Sequence, residues 1–173
     1  MKIAPMRHAG TAVIALTALL SACHSPDPKA VLEISDIETY WAVDSAQGEK
    51  QYIAPVARFQ VHNKGTANER TVEAQATFRR KGEDAIWSSA WQKVTEPGGH
   101  VLPAGSQALV VLKPENEGRY FTNGPPESMF QHEQFRDASV DVFLRIGSSP
   151  WTKFKTVDVE RRIGTRSVQA AAP

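Results

Sequence analysis

Beyond residue 30, polar and apolar side chains alternate with a period of two along much of the chain. Ala57, Phe59 and Val61 alternate with Arg58, Gln60 and His62, and Val72, Ala74, Ala76 and Phe78 alternate with Glu73, Gln75, Thr77 and Arg79. A β-strand sends successive side chains to opposite faces, so each run predicts a strand with one buried and one wet face. Between them, Asn63-Lys64-Gly65 tolerates positive φ and predicts a turn. The two strands are then neighbours in sequence without having to pair. Further strands are predicted over 31–40, 85–91, 107–112, 138–146 and 151–159, each bounded by Gly, Pro, Asn or Ser. In the fourth of these, Val140, Val142, Leu144 and Ile146 alternate with Asp141, Phe143 and Arg145, as expected of a strand central to its sheet.

One segment breaks the pattern. In 125–135, Pro126 suits a first helical turn, Glu127 and Ser128 suit the N-terminal dipole, and Met129, Phe130 and Phe135 can face inward, predicting a short helix or helical turn. About seven short strands, turn signals between them and no sustained helical period predict an all-β, immunoglobulin-like β-sandwich. Within it, Val61-His62-Asn63-Lys64-Gly65, the strand from Val72 to Phe78, and Leu102-Pro103-Ala104-Gly105-Ser106 before Leu109-Val110-Val111-Leu112 resemble bacterial immunoglobulin-like modules of the adhesion and FxLYD types, over about residues 52–113. The resemblance implies a fold and assigns no role.

The first thirty residues follow a different logic. Lys2 and Arg7 precede an apolar run from Ala9 to Ala22, and no acidic residue occurs before Asp27. That run is shorter than the roughly 20 residues needed to span a bilayer and has the length of an export-signal core. It ends in Leu20-Ser21-Ala22-Cys23, which resembles the lipobox of bacterial lipoproteins: a branched apolar residue, two small residues that fit a signal peptidase, then the thiol that accepts lipid. The resemblance implies a signal peptide over 1–22, cleavage before Cys23, and a diacylglycerol thioether and N-acyl chain on that cysteine. More than one acyl chain is what stable anchoring requires. Cys23 is the sole cysteine, so it has no disulfide partner within the chain. His24 stands where an Asp would resemble the inner-membrane retention signal, favouring the outer membrane, periplasmic side, in a Gram-negative cell. Residues 23–30, with two prolines, predict a tether; 31–163 the sandwich; and 164–173, with no apolar face, a disordered tail.

Removing the leader leaves 151 of the 173 residues, enough for one domain. Loss of Lys2 and Arg7 takes the formal charge from +1 to −1, which argues against a nucleic-acid binder.

Candidate chemistry is sparse. No G-x-S-x-G, H-E-x-x-H or C-x-x-C occurs, and Ser89 and Ser106 lack a supporting motif. His24, His62, His100 and His132 are scattered and read as surface residues. Asp36 and Glu38 share one face of a predicted strand, which reads as a solvated face rather than a glycosidase pair. The run Lys113 to Gly118 lacks calcium-loop spacing, and Arg79-Arg80-Lys81 reads as a solubilising strand end. No cofactor is expected beyond the lipid.

The aromatics offer more. Trp87 and Trp91 lie four apart, hence on one face of a regular strand, and with Trp151 they form a candidate ligand platform; the alternative is a set of core and capping rings. Tyr120, Phe121, Met129, Phe130 and Phe135 make the loop 115–136 either a lid or a contact surface. The reading that follows is a non-enzymatic, lipid-anchored interaction or assembly module that meets an envelope protein through an exposed strand edge or this loop. The alternative is a glycan- or small-molecule-binding lipoprotein, and a third class is an envelope hydrolase.

Overall fold

The computed structural model describes residues 26–47, 50–95, 99–115 and 117–164; the signal peptide, Cys23, His24 and residues 165–173 of the expected tail lie outside them, while Gly164, expected as the first residue of that tail, is in a strand paired with Ala42. A single-turn helix, α1 (Pro28–Val31), opens the domain. It is capped by the Asp27 side chain, which accepts from Lys29 N at 3.0 Å, and carries Pro28 in its first turn. Part of the stretch expected as tether is therefore already folded.

Nine strands follow among the described residues: β1 (Leu32–Gln47), β2 (Lys50–Asn63), β3 (Val72–Arg80), β4 (Ser88–Val94), β5 (Gln107–Leu112), β6 (Tyr120–Thr122), β7 (Ala138–Ile146), β8 (Thr152–Asp158) and β9 (Ile163–Gly164). They form two sheets. One has the order β5-β2-β1-β9 with β6 also on β2, and the other β4-β3-β7-β8. The fold is the expected all-β sandwich, with two short strands more than the seven anticipated. β5 and β7 coincide with their predicted spans, and β7 is internal to its sheet.

β2 and β3 are sequence neighbours in different sheets, so the turn between them crosses the sandwich. Asn63 holds that crossing. It is fully buried, its amide donates to Ala67 O and Leu102 O at 2.9 Å each, and its Oδ1 accepts from Gly65 N at 3.0 Å. This is an Asx turn, and Gly65 serves it by smallness: a Cβ there would lie 3.0 Å from Val31 Cγ1 and 3.1 Å from Asn63 Oδ1.

The alternating apolar positions meet between the sheets. Phe59, Val61, Phe78, Val142 and Leu144 are fully buried beside Trp41 and Leu102. The predicted helical segment is a 3-10 helix, Pro126–Gln131. With Tyr120 and Phe135 it closes one end of the core, where ring centroids of Tyr120, Phe130 and Phe135 lie 5.7, 6.4 and 5.2 Å from that of Trp41. Most of the aromatic loop is thus a lid. Beyond β8 the chain switches sheets: Thr39 Oγ1 donates to Asp158 O at 2.8 Å and accepts from Glu160 N at 3.2 Å, leading the backbone to β9 alongside β1.

Candidate functional site

The residues singled out from the sequence do not converge. Trp87 and Trp91 do not share a face. Trp87 precedes the first residue of β4, before regular alternation begins, and turns inward to pack 6.2 Å from Trp41 and 5.1 Å from Tyr120. Trp91 lies mid-strand and is 63% exposed. Trp151 is half-buried with the Arg145 guanidinium 4.5 Å from its ring, and Lys153 sits 5.8 Å over neighbouring Phe143. The ring faces that a sugar would need on that side already carry cations.

Asp36 and Glu38 fare likewise. A bulge falls between Ser35, opposite Gln60, and Glu38, opposite Arg58, and Asp36 takes a positive φ of 49°, so the regular alternation expected there is broken. Glu38 instead faces Arg58 at 3.5 Å. Among the described residues no three His, Cys, Asp or Glu side chains form a metal-binding group. His132 Nδ1 accepts from Gln134 N at 3.2 Å, and Ser106 Oγ donates to Pro103 O at 2.8 Å, both local loop contacts. Arg79, Arg80 and Lys81 are each ion-paired, to Asp141, Glu83 and Asp158.

The unsatisfied feature is backbone. Open strand edges invite another chain to pair, and proteins guard them with lysines, bulges or cover. The edge at β8 carries exposed Lys153 and Lys155, and the outer side of β1 carries the Asp36 bulge. The opposite side of the sandwich, where β4 and β5 face each other across the sheets, is less guarded, with Lys93 near the end of β4 the one lysine in the two strands. β5 is Gln-Ala-Leu-Val-Val-Leu, six residues without charge or proline, with Leu109 47% exposed. β4 reads Ser-Ser-Ala-Trp-Gln before its first charge at Lys93. Among the described residues no strand pairs with the outer side of either.

Beside β4 runs a groove of about 360 Å³ lined by Ser89, Ala90, Trp91, Lys113, Pro114, Glu115 and Glu117. Its far wall is fixed by Asp44, which binds Lys113 and, at 2.7 Å, Arg119. Burial pushes the Asp44 carboxyl upward, but its hydrogen bonds and ion pairs to the two cations outweigh that and hold it below the usual carboxylate range. Gly118 fits where it does because its φ is 66° and a Cβ would fall 2.2 Å from Ser88 Oγ. The sequence offered the strands but no sign of which were edges, so Ser89, Leu109 and Glu117 were not legible as a site.

No protein-family model matches the sequence, and no protein of curated description matches it. Solved structures similar to the chain include a Northeast Structural Genomics Consortium target at 7% identity and TM-score 0.42, covering 77% of this chain and 89% of that one. A protein from Archaeoglobus fulgidus is similar at 12% identity and TM-score 0.40, covering 73% and 95%. The E. coli curli protein CsgC is similar at 16% identity and TM-score 0.24, covering 69% and 96%.

Proposed function

We infer that the chain is a lipid-anchored, non-enzymatic module of the cell envelope that holds a protein partner by accepting an extended segment along its β4–β5 side. The observation that carries this reading is the uneven guarding of the edges: two lysines at β8 and a bulge at β1, against a β5 without charge and a β4 whose one charge, Lys93, lies near its end. Strand addition draws affinity from main-chain hydrogen bonds, which such an edge supplies without side-chain chemistry. Anchoring rests on Leu20-Ser21-Ala22-Cys23 and places the domain at a membrane surface, on the periplasmic side of the outer membrane in a Gram-negative cell. The alternative of a glycan platform needs rings that act together, and the three tryptophans do not converge: Trp87 packs against the core, Trp151 lies beneath Arg145, and Trp91 stands alone on β4.

Two substitutions test the two halves. Cys23→Ala is expected to abolish lipid labelling and release the protein from the membrane fraction; unchanged labelling contradicts the anchor. Leu109→Lys, which installs a guard on β5, is expected to cut recovery of a cross-linked partner at least tenfold at unchanged thermal stability. Undiminished recovery contradicts the edge.

A further inference from the structure

Eight aromatic rings of this domain lie under a cation: Phe154, Phe121, Trp87, Tyr52, Trp151, Phe143, Phe135 and Tyr40, at 4.5 to 6.0 Å from Lys or Arg head groups. Trp91 is the most exposed of the large apolar side chains and has no cation over it and no aromatic neighbour among the described residues. Two further features surround it. Glu115 and Glu117 line the same groove, both exposed, and neither makes an ion pair or hydrogen bond among the described residues, while Lys113 is already matched by Asp44. The groove therefore presents an unoccupied ring face and two unmatched carboxylates beside an open strand edge.

We propose that this groove is the specificity pocket of the strand-accepting edge, and that it takes a lysine or arginine side chain of an extended, basic segment from another envelope protein laid along β4. The inference rests on the reading of the edge above and adds the partner's chemistry. In a strand paired with β4, the residue opposite Trp91, or diagonal to it, projects on the same sheet face. A basic side chain there reaches the Trp91 ring and meets Glu115 and Glu117 at its tip. Cation–π attraction and ion pairing then act on one group, each strengthened as the incoming strand excludes water.

A second copy of this chain could offer only Lys93, the one lysine of β4, for the same role, and the light-scattering arm of the test below separates that occupant from a basic segment of another protein.

The test uses the full-length, detergent-solubilised protein and three dye-labelled, end-blocked peptides of seven residues, alternating threonine and valine about a central lysine, norleucine or glutamate, followed by fluorescence anisotropy at low salt. The lysine peptide is expected to bind at least tenfold more tightly than the glutamate peptide. Replacing Glu115 and Glu117 together by glutamine is expected to bring that ratio below about threefold and leave norleucine-peptide binding unchanged, a control for folding and for the edge itself. Equal binding of all three peptides overturns the cation pocket and leaves strand addition standing. Binding of none overturns strand addition at β4 as well. A dimer by light scattering that Trp91→Arg dissociates overturns the choice of occupant.

Discussion

Replacing Asn63 with alanine removes one side chain and three hydrogen bonds: its donations to Ala67 O and Leu102 O and its acceptance from Gly65 N. Asn63 is fully buried, so water cannot take over these roles without opening the turn. At a net value of about 1 kcal/mol per bond, the loss comes to about 3 kcal/mol. For a domain of this size that lowers the melting temperature by about 8–12 °C. Asn63→Asp retains the acceptor for Gly65 N but turns carboxylate oxygens toward the carbonyls of Ala67 and Leu102, so it should cost at least as much at neutral pH. Urea unfolding followed by far-ultraviolet circular dichroism measures both, and an unchanged m-value would place the effect in the folded state. A loss under about 1 kcal/mol for Asn63→Ala would refute the argument that this side chain holds the crossing between sheets.

Three other outcomes are expected. Burial pushes the Asp141 carboxyl upward, but Thr156, Lys153 and Arg79 together outweigh it and hold the group below its ordinary range. Its contribution to stability is therefore present above the unfolded value of about 3.9 and lost as pH falls through the lower folded value; Asp141→Asn should flatten that acid decline in denaturant midpoints measured from pH 6 to 2. Gly118→Ala should destabilise by about 1–3 kcal/mol in calorimetry, because it meets both a left-handed backbone and Ser88 Oγ. Acrylamide should quench Trp91 before the other described tryptophans, so Trp91→Phe removes the most accessible emission whereas Trp87→Phe spares it.

The sequence carried the sandwich because strand burial is written in alternation. Val140, Val142, Leu144 and Ile146 announced β7 with its boundaries, and Gln107 to Leu112 announced β5. What escaped was set by tertiary contact. β6 and β9, three and two residues long, pair only because β2 and β1 are already in place. Trp87 has the parity of Trp91 but precedes the regular strand, so spacing misplaced it, and the Asp36 bulge disturbed the other two-residue argument in the same way. The α1 turn was written as Asp27-Pro28, an N-cap and first-turn proline, inside a stretch whose prolines suggested a tether. Edges are a property of sheet order, which alternation does not encode, so the open side of β4 and β5 became visible only once β3 and β2 were seen to occupy their other sides.

The most direct test of strand acceptance places a photo-activatable amino acid, one position at a time, at Ser89, Leu109 and Lys155 in the membrane-bound protein and maps the adducts by mass spectrometry. Strand acceptance predicts one partner segment cross-linked from Ser89 or Leu109, extended along β4 or β5, and none from Lys155 on the guarded edge. Adducts confined to Lys155, or equal at all three positions, would contradict it.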